Sequence, residues 1–155
     1  MELKEIAQGL AERFGMGGLA VENGEAAMEI DGMPVLLAEN GNGAIVVTGF
    51  VGESPAEGGE AFANLMLEAT TGFMDRKARA LARNPETGAY SLVQRVSQDG
   101  LTMDSFCDEL SDFANTLESW RGMLEGFRPV AAAAKEMADA EPNAAEMALG
   151  GFMQV

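Results

Sequence analysis

Acidic side chains recur at helical spacing late in the chain, and they are the residues best suited to metal chemistry. Asp108, Glu109 and Asp112 form a D-E-x-x-D pattern, and Asp104 lies one helical turn earlier. Carboxylates three or four residues apart share one helix face, so the pattern could in principle hold Mg²⁺. Prenyl-transfer chemistry with such a motif needs a second cluster and a large all-helical cavity, and the sequence offers neither. A solvated helix face explains the same residues.

Other reactive groups are scarce. The sequence contains no histidine, which excludes catalytic triads, histidine–metal sites and imidazole proton shuttles. The one cysteine, Cys107, has no histidine to activate it and precedes an aspartate, so we interpret it as a buried structural thiol. The glycine-rich stretches "GMGG" and "GNG" lack a phosphate-binding lysine and predict turns. We therefore assign no catalytic residue, metal or cofactor, and predict that the protein is not an enzyme.

Charge and hydropathy restrict the partners and the compartment. The net charge is -15, which argues against nucleic acid and anionic membranes as partners. No apolar run approaches the roughly 20 residues that cross a bilayer, and "MELKEIAQGL" at the N-terminus lacks a signal-peptide pattern. With a single cysteine, these features predict a cytoplasmic protein.

The elements alternate between helical and strand patterns. Leu3, Ile6, Leu10 and Phe14 recur at helical spacing, and "GMGG" ends that helix. Strand character follows in "LAVE", "AAMEI", "MPVLLAE" and "AIVVTGFV", separated by Asn-Gly and Asp-Gly turns that suit an antiparallel meander. The last of these is apolar on both faces, which predicts a central strand. A second helix is predicted at about 57 to 72, then the strands "RKARALAR" and "AYSLVQRV".

The third helix has the clearest pattern. Its apolar residues step by three and four over more than three heptads, and Thr102 is a plausible N-cap. They are Met103, Phe106, Leu110, Phe113, Leu117, Trp120, Leu124 and Phe127. Such a stripe favours a core helix lying across the sheet over a coiled coil. The fold class is α+β in the order α-β-β-β-α-β-β-α, as one domain over 1–128 with an Ala/Met-rich helical or mobile tail over 129–155.

Several of these segments resemble a known family. The segments are "LKEIAQGLAERFG", the "MEIDGMPVLL" hairpin, "AIVVTGFV", the second helix, and "ETGAYSLVQRV" leading into "LTMDSFCDELSDFANTLESWRGML". In this order, on a small acidic chain, they resemble the class I chaperones of bacterial type III secretion, the CesT/SycE-like or Tir chaperone family. The resemblance covers about residues 3 to 125.

The resemblance implies a homodimer, assembled through the second helix and a neighbouring strand, that binds the N-terminal segment of a secreted effector in extended form. The cargo would add backbone to sheet edges and bury side chains in apolar patches. For cargo contact the prediction names Leu3, Ile6, Leu10 and Leu92, although closure of the core would explain the same stripe. For the dimer interface it names Phe62, Leu65, Met66 and Ala69.

Two other classes remain open at this stage. One is an adaptor or regulator of the same fold that binds a folded partner through its acidic face, with strong salt dependence. The other is a metal-dependent enzyme that uses the cluster from Asp108 to Asp112, which calorimetry with Mg²⁺ or Mn²⁺ would test.

Overall fold

The computed structural model describes residues 1–74 and 76–128 of the chain, and the predicted tail after Pro129 lies outside these residues. Three helices and five strands follow one another in the predicted order α-β-β-β-α-β-β-α. They are α1 (Leu3–Phe14), β1 (Glu25–Ile30), β2 (Met33–Glu39), β3 (Ala44–Gly52), α2 (Gly59–Met74), β4 (Arg79–Arg83), β5 (Tyr90–Ser97) and α3 (Met103–Gly126). No helix in this part of the chain is long and apolar enough to cross a membrane.

The five strands form one antiparallel sheet in the order β1-β2-β3-β5-β4. Two tight turns flank β1: Asn23 and Gly24, before it, have φ of 52° and 74°, and Asp31 and Gly32, which join it to β2, have φ of 51° and 78°. Asparagine, aspartate and glycine tolerate this left-handed region, which two-residue hairpins require. Strand β3 is the middle strand, which confirms the prediction from its apolar run.

Three boundaries differ from the sequence-based expectation. The segment "LAVE" is not a strand, because only Glu22 pairs, in a single bridge with Glu25. Helix α2 begins and ends about two residues later than predicted. The strand expected over "RKARALAR" is shortened to Arg79–Arg83, since Lys77 and Ala78 lie in the turn that follows α2.

One face of the sheet carries the core, and α3 is its main cover. Helix α3 packs on β3 and β5, and α1 packs on β1 and β2. Within the predicted stripe of α3 the fully or nearly fully buried side chains are Phe106, Leu110, Phe113, Leu117 and Trp120. Thr102 is its N-cap, because the Thr102 hydroxyl accepts a 3.1 Å hydrogen bond from the Ser105 N–H. The stripe is therefore an intramolecular core face, as predicted.

A glycine in the central strand lets α3 approach closely. A Cβ at Gly49 would lie 2.5 Å from Cδ2 of Leu117 and 3.1 Å from Cε1 of Phe113. Both of these side chains have no exposed surface, so neither can move aside without displacing the core.

Gly49→Ala is therefore expected to destabilise the protein by about 1–3 kcal/mol, the usual cost of inserting a methyl group into a packed core. Thermal unfolding by circular dichroism should show a midpoint lower by several degrees, at roughly 2–4 °C per kcal/mol for a chain of this size. Gly72→Ala is the control, because a Cβ at this exposed position in α2 meets nothing within 4 Å. An unchanged midpoint for Gly49→Ala would contradict the close packing.

Candidate functional site

Most of the acidic pattern on α3 is engaged in ion pairs, with Asp108 as the exception. Nζ of Lys77 lies 3.0 Å from Oε2 of Glu109 and 3.0 Å from Oδ2 of Asp112. Nη2 of Arg79 lies 2.8 Å from the same Asp112 oxygen. The helix face that was expected to be solvated is thus partly an ion-pair cluster that joins α3 to β4 and the turn before it. We call this cluster of Lys77, Arg79, Glu109 and Asp112 the clamp. Among residues 1–74 and 76–128, no group of three metal-ligating side chains is close enough to hold an ion.

Arg79 is the centre of this clamp and is only 5% exposed. Its Nε and Nη2 donate to Oε1 of the buried Gln94 at 2.8 and 2.6 Å, and its Nη1 donates to the Thr116 hydroxyl at 2.9 Å. The guanidinium also lies about 6 Å from the ring centres of Phe73 and Phe113. A buried charge needs partners on every side, and this one has them.

The two edges of the sheet differ. On β4, the outward N–H of Leu81 donates to the Thr70 hydroxyl at 3.0 Å, so α2 covers that edge. On β1, Glu25 directs its N–H and C=O toward Glu22, away from β2. Because these groups alternate along a strand, Ala27 and Glu29 direct theirs the same way. In the described part of the chain, no backbone hydrogen bond from the preceding residues 18–21 reaches β1. The edge of β1 is open at these two residues.

An apolar groove adjoins this open edge. It lies between the end of α1, the β1–β2 hairpin and α3, and has a cavity volume of about 250 Å³. Its lining is Phe14, Met16, Met28, Glu29, Ile30, Asp31 and Leu110. Phe14 is 62% exposed, the largest exposure of an aromatic side chain in the described residues. A strand paired with β1 would place every second side chain on the face of this groove.

The four residues predicted to contact cargo lie elsewhere. Leu3, Ile6, Leu10 and Leu92 all have 0% exposure and belong to the core under the sheet. In the single chain a bound peptide could touch them only if the core opened, so closure of the core explains their spacing, and cargo contact stays a prediction. The stripe on α1 did contain one exposed member, Phe14, and its place directly before "GMGG" was the available signal.

The predicted dimer residues divide into two groups. Phe62 and Met66 are buried, and the Phe62 ring stacks on Tyr90 at 5.5 Å and meets Trp120 edge-on at 5.9 Å. Leu65 is 39% exposed, and Ala69 is partly buried against the core. The largest exposed apolar side chains of α2 were not predicted. They are Leu67, 65% exposed, and Met74, 64% exposed.

Opposite the helices, the sheet face is nearly uncharged except at β1, which directs Glu25 and Glu29 there. Of the side chains that β2, β3, β5 and β4 direct there, only Arg95 carries a charge, and Leu36, Val46, Thr48, Phe50, Val93 and Ala80 are among the rest. Antiparallel sheets that face water normally alternate with polar residues on the wet side. Leu67 and Met74 lie three residues before and four after Thr70, and so on the side of α2 that faces β4. Apolar surface thus continues from the sheet onto α2.

The clamp on α3 predicts a pH effect. Hydrogen bonds from Lys77 and then Arg79 lower the pKa of Asp112, and partial burial opposes them only in part. A carboxyl whose folded-state pKa is lowered stabilises the fold above its unfolded pKa of about 3.9, and this contribution is lost as the pH falls through the folded value. Asp112→Asn should therefore lower the melting temperature at pH 7 by a few degrees, and the difference from wild type should shrink below about pH 4.

Asp108→Asn is the matched control, because Asp108 is exposed and has no salt bridge with a described residue. Equal melting curves for wild type and Asp112→Asn at pH 7 would show that the clamp contributes nothing. The same loss at pH 3 as at pH 7 would show that its charge is not the cause.

Comparisons with known proteins agree with this architecture. The chain is similar to a chain of the HopA1-SchA chaperone–effector complex, at 16% identity and a TM-score of 0.66 over 77% of this chain and 92% of that one. It is similar to a chain of the ExsC-ExsE complex, at 17% identity and a TM-score of 0.68 over 80% and 97%.

A third structure of the same fold is described differently. YbjN from E. coli, a putative transcription regulator, has 14% identity and a TM-score of 0.55 over 81% of this chain and 90% of its own. At these identities the structures show the fold alone. No curated protein sequence matches the chain. The model of the Tir chaperone protein (CesT) family matches residues 5–121, about three quarters of the sequence, from α1 into α3. On this match, and with the α-β-β-β-α-β-β-α fold that carries it, the chain belongs to the Tir chaperone protein (CesT) family.

Proposed function

We propose that this protein is a chaperone that binds the N-terminal segment of a type III secretion effector in extended form and keeps it soluble and export-competent. One observation carries the proposal: the open edge of β1 at Ala27 and Glu29 adjoins an apolar groove on a chain of this family. Similarity to chains of two complexes, one described as chaperone–effector, supports it.

The open edge of β1 and the apolar groove contribute different interactions to peptide binding. Ala27 and Glu29 offer four backbone groups, and at about 1 kcal/mol net per hydrogen bond they supply on the order of 4 kcal/mol, which the entropy cost of association offsets. Burial of one large apolar side chain in the groove adds about 1.5–3 kcal/mol. The edge therefore accepts any extended backbone, and the groove selects the segment through its apolar side chains.

Charge selects against most other partners. The net charge is -15, and Glu22, Glu25 and Glu29 all lie at or beside the open edge. An acidic cargo segment would be repelled, whereas one with lysine or arginine between its apolar residues would be attracted, most strongly at low salt. Such segments aggregate when exposed, and covering them needs binding only. We infer that the protein works in the bacterial cytoplasm by binding, without catalysis.

We further propose that two copies associate through α2 and the uncharged sheet face beside it. Leu65, Leu67 and Met74 supply exposed apolar surface on α2, and Ala80 of β4 and Val93 of β5 lie opposite each other on the neighbouring sheet face. Between two chains of the same strong charge, contact is least repulsive where charge is missing. The buried Phe62 and Met66 would then support the interface by fixing α2 in place rather than touching the partner.

The binding unit is proposed to be residues 1–128, with 129–155 as an appendage. The family model ends at residue 121, and the first two matched chains are covered over 92% and 97% of their length but cover only 77% and 80% of this one. The end of the family match at residue 121 and these coverages support that division.

A regulator of the same fold is the second candidate, favoured by the similarity to YbjN. It would bind a folded partner through its acidic surface. Affinity purification from the native cytoplasm, followed by limited proteolysis and mass spectrometry, separates the two. A protease-resistant N-terminal stretch of one larger protein supports the chaperone, and an intact folded partner supports the regulator.

Phe14→Glu is expected to weaken binding of the captured effector's N-terminal fragment about tenfold or more, because it places a charge in the apolar groove at the cost of one aromatic contact. Isothermal titration calorimetry measures the loss. Met123→Glu is the control, as Met123 is also exposed, at 43%, but lies on α3 outside the groove lining. Equal affinities for the two variants would place the binding site elsewhere.

Leu67→Glu is expected to dissociate the dimer, because it places two like charges in one apolar interface. Sedimentation equilibrium at micromolar concentration should give the mass of two chains for wild type and Met123→Glu, and of one chain for Leu67→Glu. A wild-type mass of one chain would refute the dimer, and a Leu67→Glu dimer would refute this interface.

A further inference from the structure

The chain before β1 begins a hairpin that it does not complete. Glu22 and Glu25 exchange two backbone hydrogen bonds of 2.9 Å across the turn at Asn23 and Gly24. The positive φ of both turn residues is the geometry that matches the twist of paired strands. Beyond this one pair, residues 18–21 form no backbone hydrogen bond to β1. The turn has hairpin geometry, but the hydrogen-bond ladder ends after one residue pair.

The register of that first pair fixes what a complete hairpin would be. Continuing it places Val21 opposite Ala26, Ala20 opposite Ala27, and Leu19 opposite Met28. Leu19 and Val21 would then lie on the core face of the sheet. Both already pack against the core as partly buried side chains. The alternation of this segment therefore fits a sixth strand without any side chain changing faces.

Beyond Glu22 the segment lies away from β1. Glu22 already lies directly opposite Glu25, and like charges in this position weaken the one pair from which the ladder would continue. Open space of about 430 Å³ also separates the segment from the sheet, lined by Leu19, Ala20, Ala27 and Leu36 among others. The glycines at 17 and 18 precede the segment, and they allow the chain to change direction at little steric cost.

We propose that residues 19–22 are a strap that, in the free protein, exchanges between the open position of this structure and a closed position paired with β1, and that is displaced when a peptide pairs with this edge. The proposal rests on the proposed function, since it concerns the same edge. In the closed state Ala20 and Ala27 exchange two backbone hydrogen bonds, so the strap and the peptide compete for the same donor and acceptor of Ala27.

The strap also indicates the chemistry of the peptide it mimics. A competing segment needs apolar side chains at alternate positions, on the face of Ala26 and Met28, with a small residue opposite Ala27. A lysine or arginine of the peptide opposite Glu25 or Glu29 would pair with that carboxylate. Glu22 of the strap, in contrast, lies opposite Glu25 and repels it. The partner is thus an extended segment that alternates apolar with small or basic residues.

Amide hydrogen exchange of the free protein, followed by NMR, tests the strap without any effector. Ala20→Pro removes the N–H that the closed strap donates to Ala27, and Ala20→Ser is the control that keeps it. Exchange of the Ala27 amide should be about tenfold faster in Ala20→Pro than in wild type or Ala20→Ser, while the Ala26 amide, which faces β2, is unchanged. Equal Ala27 rates in all three proteins would overturn the strap.

A reversible lock tests the competition. In a Cys107→Ser background, cysteines at Ala20→Cys and Ala27→Cys would face each other across the closed strap at about 5.5 Å between Cα atoms, within the range of a disulfide. The oxidised protein should lose at least about tenfold in affinity for the effector's N-terminal fragment, and reductant should restore it. Equal affinity in both redox states would overturn the competition. If the reduced protein binds no effector fragment, the proposed function fails, and the Ala27 exchange rates still decide whether the strap closes.

Discussion

The positions of the other helices and of the open surfaces depend on one interaction, the burial of the apolar stripe of α3 against one face of the sheet. Phe113 and Leu117 reach the central strand because Gly49 has no side chain to hold them off. Helix α1 packs on the same face, and Phe62 of α2 joins the same core. The helices all pack toward that core, and no described backbone group pairs with the outward groups of Ala27 or Glu29 at the edge of β1. The surfaces available for binding are therefore the sheet face and the strand edge that do not take part in this core.

Polar interactions fix the register in which α3 packs on the sheet, more than they add to the stability of that packing. Arg79 is buried between the sheet and α3, and its charge is met by Gln94, Thr116 and Asp112. An apolar stripe alone could slide along a sheet, since Leu and Phe pack in several registers. A buried guanidinium with fixed partners admits only one, because any shift leaves donors unpaired. The same carboxylates that suggested metal chemistry therefore align the scaffold.

The pattern of the sequence predicts the elements well where one physical rule dominates. The three-and-four spacing of α3 and the Asn-Gly and Asp-Gly turns fix a helix and two hairpins. The rule fails where two environments give the same pattern. Leu3, Ile6 and Leu10 form an apolar stripe, which a core and a binding groove need equally. In β4, alternation separates Ala80 from Arg79, but it cannot say that the arginine side faces inward.

The missed features depend on partners distant in sequence. Arg79 is buried because α3 brings Asp112 to it, and "LAVE" stays unpaired although its alternation suits a strand. Phe14 lines a groove that α1, the first hairpin and α3 form together. Such three-way contacts are not local properties of any segment. They require the assembled sheet before they can be recognised.

The central claim is that cargo pairs with the edge of β1, and the amide of Glu29 reports it most directly. This N–H faces the open edge and lies beyond the reach of residues 19–22, so its exchange in the free protein is expected to be fast. Saturation with the effector's N-terminal fragment should slow its exchange about tenfold or more, as a new strand accepts its hydrogen bond. An unchanged Glu29 rate in the saturated complex would contradict strand addition at β1 and place the cargo on another surface.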